Sequence, residues 1–256
     1  MSGAGEDPRR AYGSLTSDQQ SALDHAAGAQ GISVLQLMEI AGWQVARWLF
    51  RAVEGRPTPI LVIAGHGNNG GDGLVAARHL LTWGFPVTIA LVAAPERLGD
   101  PVSAHLGALR ALGAAVAVTP DGHVPEPLID RAELVVDALL GSGLRGDPRP
   151  AQAAAIARMP AGRTFAVDLP SGLDGSTGTA GTPTVRALRT CTLTAMKAGL
   201  WTPVGRDHAG EITLADIGMP AAAWAAAGLI PPTLVRGGEL LTIPTDTHVP
   251  ATPPAA

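Results

Sequence analysis

Five short runs, PILVIAG, PVTIALVA, AAVAV, LVVDALL and TFAVDLP, alternate with segments of helical period between residues 59 and 170. The intervening segments are a stretch from about Gly71, then DPVSAHLGALRALG, PEPLIDRA and RPAQAAAIARM. The strand runs are continuously apolar, where a half-exposed strand would alternate, and that is the mark of parallel strands covered on both faces. Strand and helix in turn predict a doubly wound α/β fold with a mostly parallel sheet. Two further strand-like runs, RTCTLTAM and AGEITLADIG, follow with no clear helix between them and are expected to extend one edge.

Helices precede the sheet. Residues 16 to 53 read as two of them, the first capped at Thr16 or Ser17, the second starting near Ser33 with Leu37, Ile40, Ala41, Val45 and Trp48 at helical spacing. Residues 1–14 are expected to be a flexible N-terminus and 15–222 one folded domain. The stretch 223–256 is a Pro- and Thr-rich tail, expected to be largely disordered.

The formal charge of −4 offers no basic field for a nucleic-acid backbone. Cys191 is the only cysteine, so neither an intramolecular disulfide nor a thiolate metal cluster can form; it reads as a small buried hydrophobe. The opening residues lack the apolar core of a signal peptide, and no run approaches the ~20 apolar residues of a membrane span. A cytoplasmic location, with no membrane partner, is the expectation.

Ligands of open parallel sheets bind beyond the carboxyl ends of the strands, and three strand ends here carry unusual residues. The first gives GHGNNGGDG (65–73), the fourth Asp137 and the loop Gly141–Asp147, the fifth Asp168 within AVDLPSGLDG. Glycines allow positive φ and close approach of main chain to a ligand, and the N–H groups opening the next helix form a natural phosphate site. GHGNNG also fits G-x-G-x-x-G, so a redox Rossmann oxidoreductase is a rival. Such a fold wants an acid at the end of the second strand, whereas TIALVAAPE ends in small residues with Glu96 late.

A strand-end carboxylate behind apolar residues is costly to desolvate unless it is hydrogen-bonded, paired or bound to a cation. Asp137 and Asp168 both have that placement, although each could instead cap its own loop. The Asn69 amide, the Asp137 carboxylate and the Ser171 hydroxyl could meet at one point. One carboxylate among neutral oxygens suits a hard cation, a monovalent one included.

Taken in order, GHGNNGGDGLVAARHL, VVDALLGSGL, AVDLPSGLDGSTG and TLTAMKAGL resemble the YjeF N-terminal family, the NAD(P)H-hydrate epimerases, and LTSDQQSALDHAAGAQGISVLQLMEIAG resembles that family's helical opening. The resemblance runs from about Leu15 to Met219. It implies a Rossmann-like αβα sandwich, often a homodimer, that interconverts the R and S epimers of hydrated NADH or NADPH for a separate dehydratase. Carried over to this chain, it implies that Asn68, Asn69, Gly70, Gly71 and Asp72 hold the hydrated dinucleotide. It implies the same of Gly141, Ser142, Gly143, Leu144, Arg145, Gly146 and Asp147. Asp168 would contact the reacting ring and serve as its acid and base, and Asn69, Asp137 and Ser171 would bind potassium. The chain departs from the family's usual LMENAG by Ile40 in place of Asn, and Arg145 and Asp147 alter the charge of the second loop. These departures keep open a repurposed member acting on, or merely binding, another nucleotide-like or polycyclic molecule.

Overall fold

The computed structural model describes residues 7–245 and 247. Among them, eight strands form one sheet: β1 (Ile60–Ala64), β2 (Val87–Leu91), β3 (Ala115–Val118), β4 (Leu134–Ala138), β5 (Thr164–Val167), β6 (Arg189–Leu193), β7 (Glu211–Ala215) and β8 (Leu240–Thr242). The spatial order is β3-β2-β1-β4-β5-β6-β7-β8, with every pairing parallel except β7 with β8. The helices are α1 (Pro8–Tyr12), α2 (Ser17–Ala29), α3 (Val34–Ala52), α4 (Asn68–Thr82), α5 (Asp100–Ala111), α6 (Glu126–Arg131), α7 (Pro150–Ile156), α8 (Pro203–Ala209) and α9 (Ala221–Ala226). The expected fold class, a mostly parallel αβα sandwich with a helical N-terminal segment, is the one observed.

All five side chains of β1 are buried, and they divide by parity. Ile60, Val62 and Ala64 join a core with residues of α3, α4 and α5, while Leu61 and Ile63 join a second core with residues of α6 and α7. Period-two alternation between two covered faces is why the run is apolar throughout. At ~1.5–3 kcal/mol for each fully buried large aliphatic side chain, the central strands are a main source of stability. The two leading helices start where the sequence places them: Thr16 accepts from Gln19 N at 3.2 Å while Gln19 accepts from Thr16 N at 2.9 Å, and Ser33 and Gln36 form the same reciprocal box.

Three sequence expectations are corrected. A helix does lie between β6 and β7: a 3₁₀ turn at Ala198–Trp201 leads into α8, capped by Thr202, and this crossover makes the pair parallel. The chain from residue 223 is structured as far as it is described. Trp224 and Ile243 are buried and β8 pairs with β7, so scattered apolar residues anchor a Pro- and Thr-rich segment to the sheet edge. The N-terminal residues 7–14 include α1, with Ala11 buried; residues 1–6, 246 and 248–256 lie outside the described ones. No helix among the described residues is long and apolar enough to cross a membrane.

Candidate active site

β1 and β4 are neighbours, and the chain builds outward from them in opposite directions, so their carboxyl ends flank the point where strand order reverses. α4 begins at Asn68, three residues earlier than the periodicity suggests, with Gly67 as its N-cap and no side-chain cap hydrogen bond. Its first N–H groups have no intrahelical partner. Gly67, Asn68 and Asn69 line a cavity of about 750 Å³ at this end of the sheet.

The glycines of this turn are bare for a different reason than positive φ, which none of the five adopts. A Cβ on Gly65 would lie 2.1 Å from Leu139 O, one on Gly70 2.0 Å from Gly65 O, one on Gly71 2.4 Å from Met38 Sδ, and one on Gly73 2.3 Å from Ala138 Cβ. Only Gly67 has open space around it. The others let α4 sit against its own turn, β4 and α3. Gly70 and Gly71 are packed against Gly65 O and Met38 and, like Gly146 of the second loop, are not among the residues lining the cavity.

Close approach of α4 to the loop after β4 brings the expected oxygen ligands together. Asp137, fully buried, accepts from Ser171 Oγ at 2.6 Å, from Ser171 N at 2.8 Å and from Leu139 N at 3.2 Å. Ser171 Oγ accepts in turn from Leu140 N at 2.8 Å. Asn69 donates through Nδ2 to Leu140 O at 2.9 Å, and its Oδ1 is buried with no hydrogen-bond partner. Burial drives the Asp137 carboxyl up to about 6 against the pull of its Ser171 and Leu139 hydrogen bonds. A buried acceptor with nothing to accept, beside a carboxylate and a hydroxyl, is a donor set that fits a cation taking oxygen ligands.

Asp168 sits just past the end of β5 with φ of 65°, and Thr194 just past the end of β6 with φ of 68°. Each is the centre of an i to i+2 hydrogen bond, Leu169 N to Val167 O at 2.8 Å and Ala195 N to Leu193 O at 2.7 Å. Such positive-φ γ-turns are rare and strained, and two side by side mark a site held in place by its surroundings. They turn Asp168 toward Lys197, whose Nζ donates to Asp168 Oδ1 at 2.5 Å, to Leu193 O at 2.6 Å and to Ala195 O at 3.2 Å. Lys197 is 1% exposed, and Leu193 N also donates to Asp168 Oδ1, at 3.2 Å.

Lys197 was quoted above only within TLTAMKAGL and assigned no role. A signal for it exists: it is the only lysine in a chain whose other cationic side chains are arginine. A compact ammonium suits a closed pocket where a guanidinium fork does not fit. Sequence reasoning placed α2 but not its part in the site, where it contributes Gln20 and Asp24 to the same cavity. Burial raises the Asp24 carboxyl, opposed by the Gln20 hydrogen bond and Lys197. Burial likewise raises Asp72 well above the ordinary range, with Asp168 and Asp24 adding to the rise and Lys197 opposing it.

The rim comes from Gly141, Ser142, Gly143, Leu144 and Arg145. Arg145 is exposed and donates through Nη2 to Asp18 at 2.5 Å, tying this loop to α2. Asp147 borders the cavity, but its Oδ1 is occupied in accepting from Thr182 N at 2.8 Å. Glu96 is not on the cavity wall, and neither is Ile40: α3 presents Val34, Leu37, Met38 and Ala41 there and leaves Ile40 40% exposed. Cys191 is fully buried, its thiol pushed up by burial and the nearby Asp168, as befits an inert core residue.

The sequence profile of the family described as YjeF-related protein N-terminus matches residues 34–199, more than half of the chain. The chain belongs to this family. Its similarity extends to the NAD(P)H-hydrate epimerase of Pirellula staleyi, at 37% identity over 204 residues that cover 77% of this chain and 88% of that one. The NAD(P)H-hydrate epimerase of Cenarchaeum symbiosum is 34% identical over 200 residues, covering 77% and 92%. The bifunctional NAD(P)H-hydrate repair enzyme Nnr of Hyperthermus butylicus is 38% identical over 212 residues, 80% of this chain but 38% of that one, so the chain spans well under half the length of such relatives. Among solved structures, that of yeast ynu0, YNL200c, superposes with a TM-score of 0.76 at 24% identity, covering 90% of this chain and 99% of that one, so the two share a fold.

Proposed function

We propose that this chain is an isomerase that interconverts the R and S epimers of hydrated NADH or NADPH. The observation that carries the reading is the buried Asp168–Lys197 pair, set in one cavity with the uncapped start of α4 and the loop after β4. Two family relatives of which the chain covers most carry the name NAD(P)H-hydrate epimerase. The cavity is large enough for a dinucleotide's reacting half, and it supplies acid/base groups with no acidic residue at the end of β2 for a redox cofactor's ribose.

In this reading the free N–H groups opening α4 and the Asn68 side chain hold the phosphates, as helix N-termini do. Residues 141–144 and Arg145 close over the bound molecule, while Asp168 faces the hydrated nicotinamide ring. Lys197 fixes the position of the Asp168 carboxyl group, so that Asp168 is held ready to exchange a proton with the substrate. Asn69, Asp137 and Ser171 hold a potassium ion, an assignment supported by the partnerless Asn69 Oδ1. The ion would supply positive charge that offsets Asp137 and locks α4 to the loop after β4. A homodimer and coupling to a separate dehydratase belong to the same proposal and are inherited from the family resemblance, and a cytoplasmic location is proposed with them from the residues of the sequence.

Pure R-hydrate incubated with the protein and an excess of S-specific dehydratase tests the reading. The R form should disappear much faster than by its spontaneous epimerisation; disappearance at the spontaneous rate would refute it. Replacement of potassium by tetramethylammonium should weaken substrate binding.

A further inference from the structure

We infer that Asp72 is a second catalytic residue, the proton donor that works with the Lys197-held carboxylate of Asp168. The inference rests on the epimerase reading and deepens it. Three carboxyl groups, Asp24 from α2, Asp72 from α4 and Asp168 from the end of β5, line one cavity with Lys197. That ammonium is spent on Asp168 Oδ1 and on the carbonyls of Leu193 and Ala195. Asp24 accepts from Gln20 Nε2 at 2.8 Å. Asp72 has no hydrogen-bond or ion-pair partner among the described residues, and it is only 9% exposed. An enclosed carboxyl group without a counter-ion or donor is more stable protonated than ionised.

The other elements packed on α4 do not change this. α3 presents Met38 and Ala41 to the cavity, and its backbone closes on Asp72 O at Gly42. Glu39, Arg78 and His79 bind one another, with His105 of α5 beside them. Asp137 at the end of β4 is engaged by Ser171 and Leu139. Burial does most to raise the Asp72 carboxyl, Asp168 and Asp24 add to the rise, and Lys197 opposes it.

Inversion at a hydroxyl-bearing carbon next to a ring nitrogen needs one group that starts protonated and one that starts ionised, whichever bond breaks. If the C–O bond breaks, its electron pair leaves with oxygen, the Asp72 proton converts that oxygen to water, and the nitrogen lone pair stabilises the ring cation. Solvent water then forms a C–O bond on the opposite face and gives its proton to Asp168. If the ring C–N bond breaks instead, its electron pair stays on nitrogen and takes the Asp72 proton while Asp168 takes the hydroxyl proton, leaving an aldehyde; rotation and the reverse transfers close the ring inverted. Two carboxyl groups held apart in protonation by their surroundings is a recurrent way to divide acid from base.

Turnover of the R-hydrate by wild type and Asp72→Asn across pH tests this. Wild-type kcat should fall at alkaline pH as Asp72 loses its proton. Asp72→Asn, which keeps the shape and can still hydrogen-bond, should lose about 10²–10⁴-fold in kcat with KM nearly unchanged, and its residual rate should lack the alkaline limb. Titration of the Asp72 carboxyl by carbon-13 NMR in the wild-type protein gives the proton's presence independently of any variant. An active wild type whose Asp72→Asn variant keeps kcat and raises KM, or whose Asp72 carboxyl is ionised at neutral pH, would overturn this inference and leave the epimerase reading intact. A wild type that does not epimerise the hydrate would overturn both.

Discussion

A carboxylate and an ammonium placed together in an apolar pocket gain little net stability, because desolvating both offsets most of their attraction, yet losing either partner is expensive. Asp168 and Lys197 are such a pair, with the lysine almost wholly buried. Asp168→Asn should therefore lower unfolding free energy by ~3 kcal/mol as well as cutting turnover ~10²–10⁴-fold. Stability and chemistry separate in the double variant Asp168→Asn, Lys197→Met, which should recover much of the lost urea midpoint and none of the activity. A double variant that regains turnover would remove Asp168 from the mechanism. Asp168 was legible in the sequence because an acid at the end of TFAV needs a partner. Lys197 was not, because a single lysine is ordinarily a solvated side chain, and two γ-turns that periodicity does not reveal are what carry it inside.

At the scale of the element, α4 explains why the first loop is so poor in side chains. Strand-to-helix alternation and the caps at Thr16 and Ser33 were readable from residue pattern alone, since both are local. The start of α4 was not, because Asn-Asn-Gly-Gly is a poor helix opening by propensity and forms one here only through contacts with β4 and α3. Overpacking typically costs 1–3 kcal/mol, so Gly70→Ala, whose new Cβ would fall 2.0 Å from Gly65 O, should destabilise the protein by about that much or more. Gly67→Ala meets open space and should cost under ~1 kcal/mol, the scale of a changed N-cap. Equal urea midpoints for the two variants would contradict the packing role. The same dependence on distant contacts hid β8, whose residues pair with β7 across the sheet edge.

Across the whole molecule, the reversal of strand order between β1 and β4 gathers motifs far apart in sequence at one end of the sheet. Proposed potassium binding there has a pH signature. Burial raises the Asp137 carboxyl to about 6, so without a cation its favourable, protonated form is lost as pH rises through that value. A cation on the ionised carboxylate offsets the loss and stabilises the fold by binding it selectively. The gain in Tm on adding potassium should hence be present above about pH 6 and fade below it; a gain that grows as pH falls would exclude Asp137 as its origin. For the central claim, the most direct measurement is chiral chromatography of pure R- and pure S-hydrate, each incubated separately with the protein and no redox cofactor. Both should converge rapidly on one common epimer ratio, approached from opposite sides. If either epimer persists at its spontaneous rate, the chain does not catalyse this inversion.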